Sequence, residues 1–225
     1  AGHKPRSLND ADAAALPLTS LTAWELLFDR LAVQPEDNAA LLIIGAGGGL
    51  GSILTQLARK LTNLTVIGTA SRTETADWVR SLGAHHVVNH QQPLGEQLAA
   101  IGYPQVRYVA SLTHTDSYYA QLVDVLAPQG KLALIDDPET LDVVPLKRKA
   151  ISLHWELMFT RSLFKTADMQ RQHQILQQVS QLIDQQTLQT TAGEHHGAIN
   201  AVNLRKAHAL IESGRARGKI VLSGF

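Results

Sequence analysis

Five glycines fall between residues 45 and 51, in "IIGAGGGLGSILTQLAR" (Ile43–Arg59), directly behind the apolar run Leu41–Ile44. Each glycine costs roughly 0.5–1 kcal/mol against alanine in ordered structure, so a run of them calls for a physical cause. A turn from strand to helix needs only one or two. Backbone that must come close to an anion needs more, because a Cβ would hold the anion away from the amides. The spacing Ala46-x-Gly48-x-x-Gly51 suits a pyrophosphate resting on the free N–H groups of a first helical turn, provided a strand precedes it and a helix follows. Gly48 would then let the backbone approach the ligand, and Gly51 would let helix pack closely on strand. Gly45, Ala46, Gly49 and Leu50 complete this candidate contact set.

A second test lies about twenty residues on, where NAD sites usually carry a carboxylate for the ribose hydroxyls. Here the chain reads "IGTASRTET", with Ser71 and Arg72 at that place. A hydroxyl and a guanidinium would accept a 2′-phosphate, which a carboxylate would repel, so the expected coenzyme is NADP(H). The plainer alternative is that Ser71 caps the next helix and Arg72 is solvated. A methyltransferase also uses a glycine-rich first turn, but it favours an acid after the second strand.

These residues need a scaffold that brings strand ends together. Short β-branched runs alternate with longer segments of helical period, the order of a parallel sheet with crossover helices. Strands are expected near Ala40–Ile44, Thr65–Thr69, His86–Asn89, Val106–Leu112, Leu132–Ile135 and Ile151–Leu157. Helices are expected at Leu50–Leu61, Thr73–Leu82, Leu94–Ile101 and Tyr118–Leu126, the last followed by a turn at Pro128–Gly130. An incoming helix over Leu18–Val33 and another carrying Ile175, Leu176, Val179, Leu182 and Ile183 flank this core. A polar strand, a helix and a closing strand at Lys219–Leu222 end the chain. The fold class is α/β: a doubly wound parallel sheet of six strands, of Rossmann type, with flanking helices and an added C-terminal segment.

Composition narrows the partners. The 225 residues hold 20 basic and 20 acidic side chains, which argues against nucleic acid or an anionic membrane as the main partner. No apolar stretch has the length of a membrane span. Cysteine is absent, which excludes disulfide and thiolate chemistry and fits a cytoplasmic location. Any zinc would have to rely on histidine and carboxylates. The adjacent pairs His85/His86 and His195/His196 would diverge along a strand, so they read as surface residues and no metal ligand is expected. The chain starts at Ala1, and "AGHKPRSLNDADAAALP" reads as a junction from something upstream.

The blocks "AAALPLTSLTAWELLFDRL", "IIGAGGGLGSILTQLAR", "TASRTETADWVRSLGAHHVVNH", "VASLTHTD", "LAPQGKLALIDDP", "PLKRKAISLHWELMFTRS" and "ARGKIVLSGF" resemble, in the same order, the medium-chain dehydrogenase/reductase superfamily. The similarity is to its quinone-oxidoreductase side, in the branch labelled zinc-type alcohol dehydrogenase-like. The resemblance implies residues 1–17 as a junction, 18–189 as an NADP(H)-binding domain and 190–225 as the return segment of an N-terminal catalytic (GroES-like) domain that is missing. It implies further cofactor contacts at Asn89, His90, Leu112, Thr113, His114, Ile135 and Asp136, all at carboxyl ends of strands. His114 is read there as a binding group and no catalytic residue is assigned. The implied reaction is zinc-independent hydride transfer from NADPH to a carbonyl, an enone or a quinone, with this chain alone binding cofactor and turning over little. A non-catalytic NADPH-sensing module would carry the same residues. Family members pair the sixth-strand edge across a two-fold axis, so a homodimer through Ile151–Leu157 is expected.

Overall fold

In the computed structural model, residues 1–225 are all described. Two short helices lead in, α1 (Asp10–Ala14) and α2 (Pro17–Trp24), and α2 runs on as a π-helical stretch over Glu25–Arg30. The alternating part follows as β1 (Ala40–Ile44), α3 (Gly49–Leu61), β2 (Thr65–Thr69), α4 (Thr73–Ser81), β3 (His86–Val88), α5 (Leu94–Ala100), β4 (Val106–Ser111), α6 (Thr115–Val125) and β5 (Leu126–Leu134). A 3₁₀ turn (Val144–Lys149), not an α-helix, links β5 to β6 (Ser152–Trp155). Then come α7 (Thr160–Leu163), α8 (Gln170–Asp184), β7 (Ala192–His195), α9 (Ala201–Glu212) and β8 (Lys219–Val221).

The six-stranded sheet has the order β3-β2-β1-β4-β5-β6, with every pairing parallel. β1 is central and buried at all five positions. A strand covered on both faces must be apolar throughout, which is why "ALLII" shows no alternation. Leu41 and Ile43 pack with Ile53, Leu54 and Leu57 of α3, while Ala40, Leu42 and Ile44 pack with Leu94, Leu98 and Leu122 on the opposite face. Fully burying one such leucine or isoleucine contributes roughly 1.5–3 kcal/mol, so β1 anchors the turn that follows it.

The expected turn at Pro128–Gly130 is absorbed into β5, which starts as α6 ends. Val106 pairs with Leu126 and Tyr108 with Lys131, so the residues between bulge out of the ladder, with Gln129 at φ 60°. The turn chemistry is real, but it makes a bulge within a strand instead of a boundary. β7 and β8 form a separate two-stranded parallel piece. Its link to the main body is direct: Gly218 N–H donates to the Gly47 carbonyl at 2.9 Å.

Candidate functional site

The chain steps outward from β1 to β2 and β3, then returns to the other side of β1 with β4. Open α/β sheets bind ligands at such a switch point, outside the carboxyl ends of the strands. A cleft of about 770 Å³ lies there, walled by the glycine turn, Ser71, Arg72, His90, the loop after β4 and the segment around residues 211–220.

The glycine turn is shaped by close approach. Gly45 has φ 80°, a conformation that favours glycine, and its N–H donates to Thr69 Oγ1 at 3.1 Å, tying β1 to the end of β2. A Cβ at Gly51 would overlap the Gly45 carbonyl and the Ala46 backbone, so α3 can start this near to β1 only with glycine there. A Cβ at Gly48 would meet nothing closer than the Gly45 carbonyl at 3.6 Å, which leaves its outer side open. Gly48 is the N-cap of α3 and offers no side-chain cap. The amides of Gly49, Leu50 and Gly51 donate to no backbone carbonyl, as expected of a first helical turn, and they are available to an anion.

Arg72, not Ser71, occupies the N-cap position of α4, so the capping alternative does not hold for Ser71. The Arg72 guanidinium is held from two directions. Its Nε and Nη2 donate to Thr75 Oγ1 at 3.3 and 3.1 Å, and Nη2 also donates to the Arg215 carbonyl at 2.9 Å. Neither Arg72 nor Arg215, Arg217 or Lys219 enters any ion pair. In a chain whose formal charges cancel, three of these four free cations line one cleft.

Of the other residues expected at the site, the cleft includes His90, Leu112, Thr113 and His114. Burial lowers the His90 pKa, helped by the nearby His114 and Arg72, which favours the neutral imidazole; its ring meets Tyr118 edge-on with centroids 6.2 Å apart. His114 adopts φ 50° just ahead of α6, and its Nδ1 lies 2.6 Å from Thr113 Oγ1. Four expected contacts are not in the wall. Ala46 is fully buried in the core. Asn89 is spent on its own turn, bonded to Gln91 and Gln97. Ile135 packs on the core, and the Asp136 carboxylate accepts the Thr115 N–H and hydroxyl at the start of α6. Ala46 and Asn89 each adjoin a cleft residue in the chain, whereas Ile135 and Asp136, after β5, adjoin none.

Sequence reasoning missed Thr75 and the segment Ser213–Lys219. The only signal for the latter was "GRARGK", three cations in five residues with no acid among them. The lysine stem of Lys219 lies against Gly49, and Gly48 forms a parallel bridge with Gly218.

The most perturbed carboxyl group lies outside this cleft. Glu156, at the end of β6, is fully buried and 2.8 Å from Arg30 Nε. Burial, then the charge of Glu25, raises its pKa to about 7. It belongs to a packed ion network under the π-helical stretch: Arg161 contacts Glu25 at 2.6 Å and both Asp29 and Asp168 at 2.9 Å.

Comparison with known proteins bears on this architecture. The family model described as zinc-binding dehydrogenase matches residues 82–222. A zinc-type alcohol dehydrogenase-like protein of Staphylococcus aureus (strain MRSA252) is 35% identical over 224 residues, covering 97% of this chain and 67% of the relative. A crystal structure of a Rhizobium etli CFN 42 protein, named as a candidate zinc-dependent alcohol dehydrogenase, superposes with TM-score 0.94 at 54% identity. It covers 100% of this chain and 67% of its own. A shorter match, 30% over 135 residues and covering 59% of this chain and 38% of the relative, is to the NAD-dependent alcohol dehydrogenase of Saccharolobus solfataricus. The chain thus spans about two thirds of the length of its longest matches. Zinc itself does not fit these residues: cysteine is absent and no three histidines or carboxylates are placed so that they could hold a metal ion together. His195 meets Asp12 and His196 meets Glu194, each at 3.0 Å and in separate pairs.

Proposed function

This chain belongs to the zinc-binding dehydrogenase family, and on that premise we propose that it is the NADP(H)-binding part of an oxidoreductase acting on a carbonyl, an enone or a quinone. One observation carries the reading: the open amides of Gly49–Gly51 and the free guanidinium of Arg72 face the same cleft, with no carboxylate between them and no acid paired to the arginine. A diphosphate suits the first group and a 2′-phosphate the second, with the Ser71 hydroxyl beside it. The nicotinamide would supply hydride to the substrate when bound. The chain's own residues would do the positioning: amides hold the diphosphate, Arg72 fixes the adenosine end, and the loop Leu112–His114 borders the ring end. No step is assigned to a metal.

We further propose that residues 18–189 form the nucleotide-binding domain and 190–225 the return segment of a catalytic domain, with 1–17 as the junction. The β7–β8 piece, separate from the main sheet yet laid on the glycine turn, supports that division. β6 is the last strand in the sheet order, and Trp155 and Leu157 beside it are half exposed, which supports a homodimer through Ile151–Leu157. No helix is long and apolar enough to cross a membrane.

Calorimetric titration of the chain with NADPH, NADH and S-adenosylmethionine tests the coenzyme reading. Saturable binding of NADPH, tighter than NADH, is the expected result. Binding of S-adenosylmethionine alone, or of NADH in preference, would overturn it.

A further inference from the structure

Arginine reads a phosphate well only when its planar fork is already aimed, because a free guanidinium has many rotamers to lose. Arg72 stands at the first turn of α4 with no acid to orient it, yet its plane is fixed. Thr75 Oγ1 receives both Nε and Nη2, while Nη1 makes no bond within the chain. Thr75 is itself 9% exposed, and its methyl group packs over Gly47, in the middle of the glycine turn. One side chain therefore touches both halves of the site: methyl on the pyrophosphate turn, hydroxyl on the adenosine-end guanidinium.

We propose that Thr75 is the positioning residue for coenzyme choice, holding Arg72 so that its unbonded edge meets the 2′-phosphate of NADP(H). The proposal rests on the coenzyme reading above and adds a residue to it. The Arg215 carbonyl is a second hold on the same fork, from a segment 143 residues away, so only part of the alignment is lost with the hydroxyl. Thr75 lines the cleft, and in this proposal its hydroxyl acts through Arg72 while its methyl packs on the glycine turn.

The test uses the whole chain with NADPH and NADH as probes in calorimetric titrations. Thr75→Val keeps the methyl that covers Gly47 and removes the hydroxyl, and NADPH affinity should fall about tenfold while NADH affinity stays within about twofold. Thr75→Ser keeps the hydroxyl and should retain the preference for NADPH. In an Arg72→Ala background, Thr75→Val should add less than about a twofold further loss, because the group it positions is gone. An equal loss for both coenzymes in Thr75→Val would show that Thr75 only packs the glycine turn and would overturn the proposal. So would full NADPH preference in Thr75→Val, or an undiminished effect in the Arg72→Ala background. Failure of the unaltered chain to bind either nucleotide is a different result, which removes the coenzyme reading and this proposal with it.

Discussion

At the scale of single residues, the glycine turn and the cation opposite it separate structural from recognition roles. Gly51 has no room for a methyl group, since its Cβ would press on backbone that cannot rotate away. Gly51→Ala should therefore lower stability by about 1–3 kcal/mol, the usual cost of overpacking, and weaken all nucleotides together; thermal melting and titration check both parts. Arg72→Ala should lower the melting temperature by only a few degrees, because it breaks no ion pair and removes partly exposed hydrogen bonds to Thr75 and the Arg215 carbonyl. It should cost NADPH roughly 10- to 100-fold in affinity and NADH little, the scale of a charge-assisted contact to phosphate. An Arg72→Ala chain that still prefers NADPH would show that another group reads the phosphate. The places of these two residues beside the cleft were legible in the sequence because each lies in a short run just after a strand, Gly51 after β1 and Arg72 after β2. Thr75 and Arg215 were not, since nothing in a linear reading ties Arg72 to a carbonyl from the far end of the chain. Asp136 and Asn89 were placed at the right strand ends, but the direction of a side chain there depends on which helix start or turn takes its oxygen.

At the scale of elements, the alternation of strands and helices was readable because each buried strand is apolar and each helix repeats at three and four residues. What escaped were features that depend on packing between distant elements. The π-helical stretch Glu25–Arg30 is one, and the network it carries explains its place: Glu25, Asp29 and Arg30 all engage β6 or the segment after it. Two guanidiniums face four carboxylates there, with Glu25 and Glu156 almost wholly excluded from water. Glu156 keeps its proton up to about pH 7, whereas the unfolded chain releases it near 4.5. At this site the folded state thus binds more protons in that window, so the contribution of Glu156 to stability falls as pH rises from about 4.5 to 7, by a few kcal/mol at most, while the lowered pKa values of His85, His90 and His154 act in the opposite sense. Denaturant unfolding at pH 5, 6, 7 and 8 should show the parent losing stability relative to a Glu156→Gln variant, which keeps the same histidines. At pH 8 the variant should be at least as stable as the parent, while a parent-minus-variant difference that does not change with pH would place the proton elsewhere. Loss of Arg161 works in the opposite sense. Arg161→Met would leave Glu25 without its buried partner and should destabilise by about 3–5 kcal/mol, the cost of breaking a buried pair on one side.

At the scale of the whole molecule, the sheet ends at β3 on one side and at β6 on the other. Beside β6 an exposed apolar series runs on from the edge: Trp155, Leu157 and Phe159, then Leu163, Phe164 and Met169, each between 46% and 74% exposed. A free strand edge flanked by such a surface is a template for pairing, and charged residues would ordinarily guard it. Here the only charge within residues 151–159 is Glu156, which points inward to Arg30 and cannot serve as a guard. Water contact at such a surface is unfavourable by about 25 cal/mol per Å² of apolar area, and a two-fold pairing would remove it on both copies at once. Sedimentation velocity should accordingly find a dimer, and replacing Trp155 and Leu157 together by glutamate should give a monomer. Both side chains are half exposed, so the double variant should keep its fold and its melting temperature within a few degrees of the parent. NADPH affinity should also be unchanged in the monomer, because neither residue borders the cleft between β1 and β4. A parent chain that sediments as a monomer at tens of micromolar, or a double variant that remains dimeric, would rule out this edge as the contact.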